Sequence, residues 1–382
     1  MMIRRLLVFV AFLAGLGVMT GAAASTQVEK RSGLLLGIRQ YGGYETLWIA
    51  PRDSDGQWQV VARGNGLLAP RRSGFWWIGV HGEPPPYRED AARAEAGAPV
   101  KPVRWYDWFV WATPVEKAPV VGGAWYEDAE DREQYGGVRT LSITFVGPDY
   151  VATSETFETH GPALSYNSIL TVRPIDQLTE PEELVFQAKQ ITDVLGPEAD
   201  AVVERTGRKA ARANKDYADK DNLDAGSEEF FEGALTYWGI FRGRGDWDVT
   251  VLKGHSSGAQ RGYHMDFDLP MRLPTAVTGA GPRPSWSFVL DRDPDAEDAF
   301  DSPTGDVTII EKNHQLMVYS RTTGATDAAA RKPLLTIPLN PTANIVMAQW
   351  ATGSHVDRWT AIVTPLLKQG IPTPRDTRTF GK

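Results

Sequence analysis

Two stretches of this chain carry the same pattern, TLWIAPRDSDGQWQVVARG at Thr46–Gly64 and TYWGIFRGRGDWDVTVLKG at Thr236–Gly254. With one residue deleted in the turn, the matched pairs are Trp48 with Trp238, Arg52 with Arg242, Gly56 with Gly245 and Trp58 with Trp247. Each stretch predicts a β-hairpin with a glycine turn and a tryptophan at the start of its return strand. Such a hairpin cannot bury its apolar face alone, so repetition predicts stacking against similar units. Chance similarity between two tryptophan-bearing hairpins is the alternative.

Strand patterns continue on both sides of the repeat. Apolar or alternating segments bounded by turn residues predict strands at Gly33–Gln40, Gly74–Val80, Trp105–Trp111, Leu141–Val146, Pro284–Asp291, Asp306–Ser320, Pro333–Leu339 and Asn344–Trp350. The third hairpin-like pair, DYVATSETF and SILTVRPI, surrounds a turn at His160. These short, evenly spaced strands are typical of an antiparallel β protein.

Helical patterns occur in two places. Thr179 and Glu182 form a capping box, and the helix that they begin is expected to end at Gly196. A second helix is predicted at Val202–Ala213, and a third at Ser354–Gln369 with Ser354 as its N-cap.

These patterns together predict a mainly β fold. Its antiparallel hairpins are expected in a β-propeller-like or multi-sheet arrangement, with a helical insertion at about 179–222 and a C-terminal helix. The predicted organisation is a signal peptide at 1–24, an N-terminal β region at 25–178, a helical insertion and polar loop at 179–228, and a C-terminal β region at 229–382 that ends in a helix. Two β domains joined through the helical segment are the alternative.

The N-terminal residues predict export. Arg4 and Arg5 precede an apolar run at Leu6–Val18, and the small residues Ala22–Ala24 are typical of a cleavage site before Ser25. The apolar run is shorter than the ~20 residues that a membrane span requires. Because the chain has no cysteine, it has neither a lipid-attachment site nor a disulfide. We therefore expect a bacterial periplasmic or secreted protein that is not inserted in the membrane.

The charge balance argues against nucleic acid as a partner. The whole chain has a net charge of −8, and removal of the two signal-peptide arginines makes it about −10. Binding to phosphate backbones requires clustered lysine and arginine, which this acidic chain lacks.

The string GHSSG at Gly254–Gly258 matches the nucleophile elbow of serine hydrolases. Ser256 as nucleophile with Asp306 and His355 would give the chain order of an α/β-hydrolase triad. However, the elbow requires a helix after the serine, and the following YHMDFDL at Tyr263–Leu269 alternates like a strand. We interpret the motif as a hairpin connection and keep the serine hydrolase as the alternative function.

No cofactor or metal site is predicted. In DRDPDAEDAFD, Asp291, Asp293 and Asp295 fit the first positions of a calcium loop, but Ala296 replaces the required glycine and Ser302 replaces the closing glutamate. This run is expected to be a solvated acidic loop. The six histidines show no metal-binding spacing.

The 13 tryptophans are the remaining candidates for a binding surface. Burial in the core is their commoner fate, but neighbouring residues of a strand face opposite sides, so Trp76 and Trp77 are both core only if the strand is covered on both faces. Trp76, Trp77 and Trp108 are therefore the predicted binding residues. The sequence favours an exported, non-catalytic protein that binds a protein or an envelope polysaccharide. A glycan-active enzyme with paired carboxylates stays open, because such pairs meet only in the fold.

Overall fold

The structure of this protein is a computed structural model. It describes residues 31–40, 43–52, 56–81, 109–121, 137–159, 165–179, 188–213, 235, 237–255, 263–321, 332–373 and 375–376. The predicted signal peptide and the predicted domain division are not tested by these residues. Among them, no helix is long and apolar enough to cross a membrane.

The fold is mainly β, as predicted. The strands are β1 (Ser32–Gln40), β2 (Gly43–Pro51), β3 (Trp58–Asn65), β4 (Leu67–Arg71), β5 (Gly74–His81), β6 (Phe109–Pro114), β7 (Val120–Val121), β8 (Gly137–Val146), β9 (Tyr150–Thr159), β10 (Ser165–Pro174), β11 (Trp238–Arg242), β12 (Trp247–His255), β13 (Tyr263–Leu269), β14 (Asp298–Asp301), β15 (Val307–Lys312), β16 (Gln315–Ser320), β17 (Leu335–Pro338), β18 (Asn344–Thr352) and β19 (Arg375–Asp376).

These strands form five antiparallel sheets and one short parallel pair. In spatial order the antiparallel sheets are β18-β1-β2-β3, β4-β5-β6, β10-β9-β8, β11-β12-β13 and β14-β15-β16-β17, and β7 pairs with β19. Each sheet is a meander of successive strands, except that β18 joins the first sheet beside β1. The predicted multi-sheet arrangement is confirmed, and no closed propeller is found within the described residues.

The two repeated stretches fold as equivalent hairpins. Trp48 lies opposite Ala62 across β2 and β3, and Trp238 lies opposite Val251 across β11 and β12, so the first tryptophan of each stretch has the same partner position; beyond it, a bulge after Trp48 shifts the β2–β3 pairing by one residue. The turn glycines Gly56 and Gly245 have φ angles of +66° and +76°, a left-handed conformation that favours glycine. All four repeated tryptophans are buried.

The described residues also contain one 3-10 helix, Ile175–Thr179, and five α-helices. The α-helices are α1 (Ile191–Leu195), α2 (Glu198–Ala213), α3 (Thr275–Thr278), α4 (Trp286–Arg292) and α5 (His355–Gln369). The helical insertion and the C-terminal helix are confirmed. Residues 180–187 of the first predicted helix lie outside the described residues. Residues 188–190 are not helical, because the Lys189 backbone instead donates to Val172 O and accepts from Trp238 Nε1, at 2.8 Å in both cases, and α1 follows from Ile191. It ends before Gly196, whose φ is +95°.

One predicted strand is wrong. The segment Pro284–Asp291 contains aromatic and β-branched residues, but α4 occupies most of it. Val289 is fully buried in this helix, while Leu290 beside it is largely exposed. Burial of one helical face therefore outweighs the local preference for a strand.

Two large apolar clusters form the core. One combines residues of the first, third, fourth and fifth sheets with α1 and α2, and its Phe145 and Trp247 rings meet edge to face at 4.8 Å. The other combines the first two sheets with β8 and one face of α5. In α5, Val363 and Leu367 are buried, while Trp359 is half-buried between Trp48 and Phe75.

Candidate functional site

A cavity of about 370 Å³ opens where four of the five antiparallel sheets converge. Its lining comes from β1 and β18, β8, β11 with its turn, and β14 with β15: Arg39, Thr144, Phe241, Arg242, Gly243, Arg244, Glu297, Asp298, Glu311, Ala343, Asn344, Ile345 and Val346. Sites that take small ligands are concave and carry a few convergent polar groups. This cavity has both properties.

Two β-bulges contribute side chains to this cavity. In β8 the pairing with β9 skips Thr144, and in β18 the pairing with β1 skips Val346. A bulge places an extra residue opposite one partner and re-aims its side chain, and bulges are over-represented beside active sites. The Thr144 side chain is buried, and its Oγ1 has no hydrogen-bond partner within the described residues.

An ion pair between Arg242 and Asp298 forms the floor of the cavity. Arg242 Nε donates to Asp298 Oδ2 at 2.6 Å, and Nη2 donates to Oδ1 at 2.9 Å. The backbone amides of Gly245 and Ala299 also donate to Asp298 Oδ1, each at 2.7 Å. Burial raises the pKa of this carboxyl, and the four donors offset part of that rise. Asp298 is therefore a saturated acceptor that holds the floor in place.

Arg242 is itself fixed by its surroundings. Its Nη2 also donates to Ala299 O at 2.7 Å, and its guanidinium lies 4.0 Å from the centre of the Phe300 ring and 5.2 Å from that of Trp247. The repeat partner Arg52 is exposed and has no such carboxylate within the described residues. Both stretches thus fold as hairpins, but only the second supplies a buried charge to the cavity.

Glu311 stands beside this ion pair without a cation of its own. It lies directly opposite Asp298 across β14 and β15, so the two carboxyls share one face of the sheet. Its carboxyl has no ion pair or hydrogen bond within the described residues. Burial, followed by the negative charges of Asp298 and Glu297, raises the pKa of Glu311 to about 7. This carboxyl changes its charge near neutral pH.

The wall and rim of the cavity carry the remaining charges. Arg39 and Phe241 are half-buried, whereas Arg244, Glu297 and Asn344 are exposed. The Arg244 guanidinium lies 4.3 Å from the centre of the Trp286 ring. Within the described part of the chain, neither Arg39 nor Arg244 forms an ion pair with a carboxylate.

The predicted triad is only partly described. Ser256 lies outside the described residues, and the chain resumes after it as β13, antiparallel to β12, rather than as a helix. The Asp306 carboxylate accepts hydrogen bonds from Ser302, Thr304 and the Ser32 amide, and none from His355. His355 is the exposed first residue of α5. The triad stays an untested alternative, and the strand after the motif agrees with a hairpin connection.

The predicted binding tryptophans lie elsewhere. Trp76 and Trp77 are 8% and 2% exposed, and both belong to the core that surrounds β5, so this strand is covered on both faces. The Trp76 indole donates to Ser73 Oγ at 3.1 Å and carries the Arg71 guanidinium over its ring. These side chains offer little surface to a ligand. Trp108 lies outside the described residues.

The prediction of a solvated acidic loop at Asp291–Asp301 is wrong. Asp298 and Asp301 are buried in β14, where Asp301 pairs with Arg321 and accepts from Thr308 Oγ1 at 2.6 Å. At the calcium-like positions, Lys312 Nζ binds Asp293 at 2.7 Å and Asp295 at 3.0 Å. A lysine thus supplies the cation in this segment. Among the described residues, no group of three or more histidine, aspartate or glutamate side chains is placed to hold a metal ion.

Sequence reasoning missed the whole cavity. Glu311 lies in a segment predicted correctly as a hairpin, but the pattern of a strand does not show which carboxyl from another element lies opposite.

Comparisons with known proteins do not assign this cavity. The chain matches no protein-family model, no curated protein and no solved structure.

Proposed function

We propose that this protein is an exported, non-catalytic binding protein whose partner is a polysaccharide of the cell envelope, held at the cavity between the sheets. The observation that carries this proposal is the composition of the cavity wall, where Phe241 lies among Asn344 and two arginines, Arg39 and Arg244, that have no ion pair within the described residues. Sugar rings present hydroxyls to planar polar groups and a C–H face to aromatic rings, and this wall offers both kinds of surface.

Binding to purified cell-wall polysaccharide and to soluble oligosaccharides derived from it tests the proposal. Arg39→Ala removes two or more potential donors, so we expect about a tenfold loss of affinity in calorimetry. Arg272→Ala is the matched control, because Arg272 is an exposed arginine outside the cavity. Equal binding by both variants, or binding to a protein extract but to no glycan, would overturn the polysaccharide as the partner.

One observation favours a second candidate, a glycan-cleaving enzyme. A general acid at neutral pH requires a carboxyl whose pKa is raised, and Glu311 has this property inside a cavity. Its neighbour Asp298 is held by four donors, which makes it a poor nucleophile. Release of reducing ends from the bound polysaccharide, lost in Glu311→Gln, would establish the enzyme in place of the binding protein.

The serine hydrolase remains the other alternative. A serine-directed fluorophosphonate probe should leave the wild-type protein and Ser256→Ala equally unlabelled if the motif is a hairpin connection. Labelling of the wild type alone would favour the hydrolase.

A further inference from the structure

The charged side chains that line the cavity are only partly paired with one another within the described residues. Six charged side chains line it, and Asp298 and Arg242 neutralise each other. Two unpaired arginines, Arg39 and Arg244, remain on the wall and rim, and two carboxyls, Glu297 and Glu311, remain together at one edge. Both carboxyls line the same cavity, the negative charge of Glu297 acts on the Glu311 carboxyl, and Glu297 N donates to Glu311 O at 2.8 Å.

Lys312, the lysine next to Glu311 in the sequence, does not form an ion pair with the Glu311 carboxyl. Lys312 follows Glu311 in β15, and neighbouring residues of a strand point to opposite faces. Its ammonium is bound by Asp293 and Asp295. Asn313 N is the only described donor to Glu297, at a long 3.4 Å. The carboxyl edge of the cavity, formed by Glu297 and Glu311, therefore has no ion pair with a cation within the described residues.

A second, independent group is available at the same cavity. Thr144 is 6% exposed, lines the cavity from a bulge, and has a hydroxyl without a partner in the described residues. A buried hydroxyl without a hydrogen bond costs about 1–3 kcal/mol, which a ligand N–H or O–H would recover.

We infer that the carboxyl edge of the cavity binds a primary ammonium group of the ligand, seated between the side chains of Glu311 and Glu297. The ammonium provides three donors and a full positive charge, which two carboxylates and a hydroxyl can accept. The inference rests on the proposed function, and within it the ligand is a polysaccharide that carries free amino sugars. Arg39 and Arg244 then face the hydroxyls or acidic groups of the same polysaccharide.

Tetramers of glucosamine and of N-acetylglucosamine differ mainly in the amine, so they are the probes. At pH 7 we expect the glucosamine tetramer to bind wild type at least tenfold more tightly. Glu311→Gln should reduce this preference to less than twofold. Glu116→Gln is the control, because Glu116 is exposed and outside the cavity, and it should keep the preference. Equal wild-type affinities, or a preference that survives Glu311→Gln, would overturn the inference.

A probe without sugar separates the inference from the proposed function. Butylammonium keeps its charge from pH 6 to pH 8, as a lysine does. Glu311 faces Asp298, Glu297, Arg242, Arg39 and Arg244, and it ionises through about pH 7. We therefore expect butylammonium to bind about tenfold more tightly at pH 8 than at pH 6, and Glu311→Gln to remove this change.

The outcomes are distinct. Binding of butylammonium without binding of either tetramer would overturn the polysaccharide and keep the ammonium site. Binding of both tetramers, together with butylammonium binding that Glu311→Gln does not change, would keep the polysaccharide and overturn the ammonium site. Thermal unfolding of each variant near the wild-type temperature shows that a lost response is not a loss of folding.

Discussion

At the scale of single residues, buried charge distinguishes this protein. Asp298 and Arg242 face each other in the interior, and removal of one partner leaves the other charge buried without compensation. Glu311 differs, because it is kept in the cavity by the strand that carries it and has no partner of opposite charge among the described residues.

Arg242→Ala should lower the free energy of unfolding by about 3–5 kcal/mol, since it leaves the Asp298 carboxylate buried and unpaired. The repeat provides a matched control in Arg52→Ala, because Arg52 has the equivalent position but is exposed. That variant should change stability by about 0.5 kcal/mol or less. Urea unfolding of both variants measures the difference, and similar losses would contradict the structural role of the ion pair.

Glu311 should also make stability depend on pH. Its pKa rises from 4.5 in the unfolded chain to about 7 in the fold, so the folded state holds the proton more tightly. The resulting stability is fully present below about pH 4.5 and is lost as the pH rises through 7, by an amount on the order of 2–3 kcal/mol. Unfolding measured from pH 5 to pH 8 should show this decline in wild type but not in Glu311→Gln. An unchanged slope in the variant would assign the decline to another group.

At the scale of elements, the repeated hairpin is the unit that the sequence predicts best. Tryptophan and glycine spacing predicted the β2–β3 and β11–β12 hairpins, because these features are local and periodic. The helix α4 and the buried strand β14 were not predicted, since packing against distant residues decides both. The cavity was missed for the same reason: Thr144, Glu311 and Arg39 meet only after separate sheets converge.

The two turn glycines should respond differently to substitution. A Cβ at Gly56 meets nothing within 4 Å, so Gly56→Ala suffers only the left-handed strain, about 1 kcal/mol. A Cβ at Gly245 would lie 2.9 Å from Trp286 Nε1 and 3.0 Å from Pro284 Cγ, and it would disturb the amide that binds Asp298. We expect Gly245→Ala to lower the free energy of unfolding by about 1–3 kcal/mol more than Gly56→Ala does, as measured by thermal or urea unfolding. Equal costs would mean that the turn around Gly245 relaxes freely.

At the scale of the whole molecule, the two ends of the described chain meet in one sheet. β18 covers the edge of β1, and its neighbour α5 packs a buried face on the same region. β18 and α5 are therefore part of the core.

Deletion of residues 344–382 should prevent folding, because it exposes the edge of β1 together with apolar side chains such as Leu34 and Leu36. Removal of only 377–382 is the control, since it keeps β18, α5 and β19. Circular dichroism and size-exclusion chromatography should show an aggregated or unfolded long deletion and a native short one. A soluble, folded long deletion would show that β18 is dispensable.

The pairing of β1 with β18 also determines when the fold can be completed. β1 begins at Ser32 and β18 ends at Thr352. During synthesis β1 therefore has no β18 to pair with until about 300 more residues have been made. Closing so long a loop is entropically costly and slow, and until it closes β1 has an open edge. The first sheet of this fold can therefore be completed only after residue 352 has been synthesised.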